Sequence, residues 1–168
     1  MTTTAEMQQL TAVPEATTGM LIRRPVAEVF EAIVDPAITA RFWFTRGSDR
    51  LAPGRQVEWH WEMYGMSTTV QVKAFEENKR ILIDWGVEAA PTTVEWTFEE
   101  RPDATTFVTI RNFGFTGSGD EVCRAACDST QGFTFLLSGL KALLEHGIEL
   151  NLTPDAYPDA HVDGWKGA

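Results

Sequence analysis

Val57, Trp59, Trp61 and Met63 alternate one for one with Glu58, His60 and Glu62. A strand points successive side chains to opposite faces, so this alternation makes one dry face and one wet face. The pattern recurs through the middle of the chain. Val70, Val72 and Ala74 continue it beyond Gly65, and Ile81, Ile83 and Trp85 follow the Glu77-Asn78 turn. Val94, Trp96 and Phe98 alternate with Glu95, Thr97 and Glu99, and after Arg101-Pro102-Asp103 come Val108, Ile110 and Asn112 on one face. Turn residues such as Pro53-Gly54 separate these runs, which predicts an antiparallel meander. A sheet with one apolar face needs another layer to cover it.

The predicted cover is a long helix opening at Asp120. Val122, Ala126, Phe133, Leu137, Leu140 and Leu144 share one face, and His146 and Gly147 suit its last turn and C-cap. Unbroken, it would run about 40 Å. Ahead of the meander, residues 16–23 read as a first strand. Pro25 opens a short helix with Val26, Val29, Phe30 and Ile33 on one face, and Asp35-Pro36 ends it and caps a second through Phe42-Trp43. One helix can cover only the middle of such a sheet, so the twisted sheet must curl around it, a shape that leaves a cavity. The expected fold class is α+β: a curved antiparallel sheet of about six or seven strands around a long C-terminal helix, with two short helices after the first strand. The 168 residues suit one core. Residues 16–149 form the expected domain, 1–15 a flexible leader and 150–168 an extended C-terminal tail.

Charge and cysteine content narrow the function. A formal net charge of −10 argues against nucleic acid and anionic membranes, which need clustered Lys and Arg. No export signal and no membrane-length apolar run is visible. The expected setting is therefore cytoplasmic, with Cys123 and Cys127 as free thiols. These cysteines share a helix face but lack the further ligands that zinc needs, and are expected to pack. His60 lies between Glu58 and Glu62 on the face expected to be exposed, a poor setting for acid–base work. No nucleotide-binding Gly-rich loop or nucleophile elbow is present. The reading has no metal, no cofactor and no catalytic set.

Six Trp and ten Phe against two Tyr make a bulky, dry aromatic set. Trp59, Trp61, Trp85 and Trp96 share strand faces with aliphatic residues, so all should point inward. They either line a pocket for a flat or lipid-like ligand or fill the core. Trp43 could border the pocket mouth, and Phe133 and Leu137 would face it from the helix. Asn112, polar on an apolar face, would orient a ligand or bond to backbone or buried water. Ala125, Gly132 and Gly139 recur every seven residues along the helix. A mid-helix Gly costs about 1 kcal/mol against Ala, so either the sheet approaches closely there or space is left for a ligand.

Several stretches resemble a known superfamily. They are Pro25-Val26-Ala27-Glu28-Val29-Phe30, Asp35-Pro36 with Phe42-Trp43, Pro53-Gly54, Asn78-Lys79-Arg80-Ile81 leading to Trp85, Thr109-Ile110-Arg111-Asn112-Phe113-Gly114-Phe115, and Gly132-Phe133 with Leu137, Leu140 and Leu144. Together they look like the START-like helix-grip (SRPBCC) superfamily of polyketide cyclases and lipid-transfer proteins. Within it they are most similar to the domain of the activator of the ninety-kilodalton heat-shock protein ATPase. The family often has His at Asn112 and Trp at Phe133. The resemblance implies a small hydrophobic or aromatic ligand held between sheet and helix. Its alternatives are a co-chaperone-like domain that binds a chaperone or other protein, and a cyclase- or hydrolase-type enzyme using the same cavity.

Overall fold

A computed structural model describes residues 9–167; of the expected leader, residues 1–8 lie outside the described part. Strand β1 (Ala16–Ile22) leads into helices α1 (Val26–Val34) and α2 (Pro36–Thr39). Strands β2 (Arg46–Gly47), β3 (Gln56–Trp61), β4 (Met66–Glu76), β5 (Arg80–Gly86), β6 (Thr92–Glu100) and β7 (Thr106–Phe113) follow. Helix α3 (Gly119–His146) and a short α4 (Leu152–Ala156) complete the order. The strands form a seven-stranded sheet in the order β1-β7-β6-β5-β4-β3-β2, every neighbouring pair antiparallel. The meander read from the alternation is thus present, closed on one edge by β1 pairing with β7.

Inward positions are dry as the alternation requires: Val57, Trp59, Val70, Val72, Ile81, Ile83, Val94, Trp96, Phe98, Val108 and Ile110 are all buried. Two strands depart from strict alternation. In β4 the register shifts between Val72 and Ala74, so that Phe75, not Ala74, stands opposite buried Ile81. Phe75 then meets Phe30 of α1 edge-on at 5.3 Å. A bulge of this kind swaps the faces and sharpens the twist, helping the sheet to curl. β3 ends at Trp61, one turn earlier than the alternation implies. Glu62–Tyr64 is a tight helical turn closed by Gly65 at φ 61, and Met63 reaches the core from that turn.

Helix α3 lies over β1 and β7. Ser118 and Glu121 cap its start reciprocally, and Gly147 at φ 65 ends it. Phe133, Leu136, Leu137, Leu140 and Leu143 form its buried face. Polar groups fix its register on β1. The Thr18 and Thr134 hydroxyls share a hydrogen bond of 3.1 Å, and Lys141 Nζ donates to the Leu21 carbonyl at 2.8 Å. Glu145 accepts from the Arg23 N–H at 2.7 Å and from Lys141 at 2.8 Å. Burial pushes the Glu145 carboxyl up, but these donors favour its charged form and hold it below the ordinary glutamate range.

The C-terminal segment differs from the extended tail expected for 150–168. Asn151, at φ 54, reverses the chain into α4, and the segment then packs back on the turn after β3. The Val162 N–H donates to the Met63 carbonyl at 2.8 Å, and the Tyr64 hydroxyl donates to the Thr153 carbonyl at 2.5 Å. Composition alone suggested a solvated tail. Tyr64 supplies the anchor that composition does not show.

Two outcomes follow from this packing. Leu140→Ala should lower unfolding free energy by about 2–5 kcal/mol in denaturant titration, as truncation of a buried Leu does; a loss near that of a surface substitution would contradict its position. Glu145 stabilises the fold fully above its free-chain pKa, and this contribution is lost as pH falls through its lower folded value. Glu145→Gln should therefore give a shallower acid limb in a plot of Tm against pH. Superimposable limbs would mean that the clasp contributes nothing.

Candidate ligand-binding site

The turn after α2 delivers the central ring of the site. Asp35 accepts from the Ala37 N–H at 2.9 Å, and the Thr39 hydroxyl donates to the Ala32 carbonyl at 2.7 Å, so the chain leaves α1 in a fixed direction. α2 is then only four residues long, and Phe42, Trp43 and Phe44 follow it inside the core. Where that turn crosses α3, Gly139 permits the approach: a Cβ there would lie 2.9 Å from the Phe42 carbonyl oxygen.

Trp43 is the hub of an aromatic cluster. Its ring centroid lies 5.0 Å from Trp59, 5.4 Å from Trp61, 5.9 Å from Trp85, 6.5 Å from Trp96 and 5.8 Å from Phe133. Most of these pairs are edge-on or tilted, the geometries that ring quadrupoles favour. The six rings expected near a ligand therefore lie in one cluster, but in two layers. Trp59 and Trp96, 2 % and 0 % exposed, form the inner layer with Phe44, Phe133 and Leu137. Trp61 and Trp85 are only partly buried, 6.1 Å apart, and with Trp43 they face a cavity of about 350 Å³.

The cavity lies between the β3–β5 end of the sheet and α3, and α4 forms part of its wall. Trp43, Trp61, Trp85, Tyr64, Phe135 and Tyr157 supply its rings, and Met66, Thr153 and Ala156 fill between them. Ser67, Thr68, Gln131 and Asp128 bring polar groups. Gly132 also lines it, and a Cβ added there would meet nothing within 4 Å. The two regularly spaced glycines of α3 thus have different reasons: Gly139 for close approach, Gly132 beside open space.

Asn112 stands away from this cavity. Its amide donates to Thr92 Oγ1 and to the Thr93 carbonyl, both at 2.9 Å, and its carbonyl oxygen accepts from Ser129 at 2.8 Å. It joins β6 and β7 to α3, with each polar atom occupied. Tyr64, Phe135, Thr153, Ala156 and Tyr157 were not among the residues read from the sequence. Tyr157 carried a faint signal, as one of two aromatics, with Trp165, in a segment rich in Pro, Asp and Gly. Phe135 carried another, as a bulky ring off the helix's apolar stripe. Burial pushes the Tyr64 phenol up, keeping it the neutral donor that holds α4.

His60 has its Nε2 3.6 Å from a Glu58 oxygen, with no hydrogen-bond partner for that atom among the described residues, and it does not line the cavity. Cys123 is half-buried and Cys127 exposed, so Cys127 does not pack as expected; both thiols are free. Among the described residues no group of three or more His, Cys, Asp or Glu side chains is placed to hold a metal. No described helix is long and apolar enough to cross a membrane.

A curled antiparallel sheet closed on one long helix, with its cavity at the open end, is the START-like helix-grip architecture. Residues 23–145 match the family described as Activator of Hsp90 ATPase homolog 1-like protein, and the chain belongs to it. Among solved structures it is similar to protein SSP2350 from Staphylococcus saprophyticus, with 29% identity, 82% of this chain and 96% of that one covered, and a TM-score of 0.69. It also resembles DynU16, a protein of the dynemicin biosynthetic locus, at 23% identity and TM-score 0.69, covering 80% of this chain and 48% of that one. The Aha1 dimer from Colwellia psychrerythraea matches at 17% identity and TM-score 0.68, covering 80% and 98%. At these last two identities the likeness concerns the fold. Comparison with curated proteins gives no match.

The glycine pair separates fold from site. Gly139→Ala should destabilise by about 1–3 kcal/mol, because backbone must move to admit the methyl group. Gly132→Ala should raise stability, by up to about 1 kcal/mol from helix propensity, while reducing the cavity. Thermal melts of the two variants moving in the same direction would contradict this assignment.

Proposed function

We propose that the protein binds a small hydrophobic or aromatic molecule in the cavity between the sheet and α3. The observation that carries this reading is the second layer of rings. Trp59 and Trp96 already complete the core, so Trp43, Trp61 and Trp85 are free to face a space of about 350 Å³. An apolar concavity with few polar groups is the usual form of a small-molecule site, and the volume lies in the range such sites have. Gly132 supports the reading too: it accepts a helix-propensity cost where a Cβ would touch nothing. Family membership is consistent with ligand binding in such a cavity.

A second reading is a co-chaperone-like surface that docks a protein partner. It draws on the family and on Met66, which is 62% exposed at the cavity rim. Tyr157, 53% exposed, lies at the same cavity, but two exposed residues are ordinary for a protein surface, so the cavity reading leads.

The test is titration with a neutral apolar fluorophore, N-phenyl-naphthylamine, followed by quenching of Trp emission. One molecule should bind per chain, and Trp85→Ala should change the affinity, whereas His60→Ala on the outer face should not. Absence of saturable binding would end the small-molecule reading and leave protein docking in front.

A further inference from the structure

The cavity wall holds several rings and one ionisable carboxylate. Asp128 of α3 lines it one turn before Gly132 and beside Gln131, and among the described residues no Lys, Arg or His lines it. Asp128 is exposed and enters no ion pair among the described residues. Arg124, one turn earlier on the same helix, is exposed and makes no ion pair with it. The surroundings have the same sign. Asp155 lies on α4 between the lining residues Thr153 and Ala156, and its charge helps to push the Tyr64 phenol up. The open groove across Ser67, Thr68, Trp85 and Gly86 carries Glu58, Asp84 and Glu88, and no basic side chain lines it either. Of these acids, Asp84 lies 3.7 Å from Lys73 and Glu58 lies 3.6 Å from His60 Nε2.

Building on the small-molecule reading above, we infer that the ligand is an aromatic or apolar molecule bearing a cationic group, an amine or quaternary ammonium, and that anionic amphiphiles are rejected. The physical reason is twofold. Indole and phenol rings present negative faces that attract a cation, and indole is the best of the side chains for this. A carboxylate ligand entering the same space would lose water and meet no cation, only Asp128. Ser67, Thr68 and Gln131 can accept N–H donors from an amine, while the rings hold the apolar body. The chain's net charge of −10 adds a long-range bias in the same direction.

Three naphthalene probes that differ in charge test this: naphthylmethyl-trimethylammonium, naphthylmethanol and naphthylacetate. Each is titrated against the full chain at low salt, with Trp emission as the readout. The ammonium probe should bind about tenfold more tightly than the alcohol, the combined effect of one cation–π contact and one exposed ion pair. The acetate should bind more weakly than either. Asp128→Asn should bring the ammonium-to-alcohol ratio towards one, and Asp128→Lys should invert the order of ammonium and acetate. Glu28→Gln, a remote exposed carboxylate on α1, controls for net charge and should leave the ratio as it was. If the alcohol binds and the ammonium probe shows no preference, or the acetate binds best, the inference falls while the small-molecule reading stands. If none of the three binds, both fall.

Discussion

The structure depends on the crossing of the Phe42–Trp43 turn over α3 at Gly139. Backbone oxygen comes to within 2.9 Å of where a Cβ would stand, so only glycine permits the approach. That approach drives Trp43 into the space between sheet and helix, where it touches rings from β3, β5, β6 and α3. A twisted sheet and a straight helix diverge towards one end, and something rigid must fill the wedge. Trp43 fills its narrow part. Beyond Trp43, between Trp61 and Trp85 on the sheet and Gln131, Gly132 and Phe135 on α3, the cavity begins.

Two kinds of holding are divided between the faces of α3. At the end near Glu145 the helix is clasped to β1 by Lys141, Glu145 and the Arg23 N–H, and further along Ser129 joins it to Asn112. At the cavity it holds no such bond to the sheet, and its residues there are Asp128, Gln131, Gly132 and Phe135. The face of α3 that is bonded to β1 and β7, at Ser129, Thr134 and Lys141, is thus separate from the face that lines the cavity. On the open side the wall is completed by α4, held through Tyr64 and Val162 to the turn after β3. The β3 strand thus has two tasks. Its strand residues complete the core and its terminal turn anchors the wall of the site.

The same division explains which charged residues matter. Arg80, Arg111 and Glu95 pair across the outer face of the sheet, at 2.6 and 3.4 Å, and balance one another there. Among the described residues that line the cavity no basic side chain offsets Asp128, and the acidic excess of the chain shows itself as a local feature. In the composition it reads only as solubility.

What the sequence determined by itself was whatever depends on local periodicity. Alternation over 57–63, 81–85, 94–99 and 108–112 specified strands and their inward faces, and apolar spacing with Gly147 specified α3 and its C-terminal end, while its start falls at Gly119, one residue before the expected Asp120. Those signals are carried within one element, so no neighbour is needed to read them. They also place every Trp of the meander on the inward face. What only the tertiary structure decided was which inward ring touches solvent-sized space. Trp59 and Trp61 have the same local pattern, but one lies beneath Trp43 and the other beyond it. The fate of Asn112, the opposite reasons for Gly132 and Gly139, and the return of α4 over Tyr64 were settled in the same way. Each depends on a partner distant along the chain, and the distance between two surfaces is not a property of either surface alone.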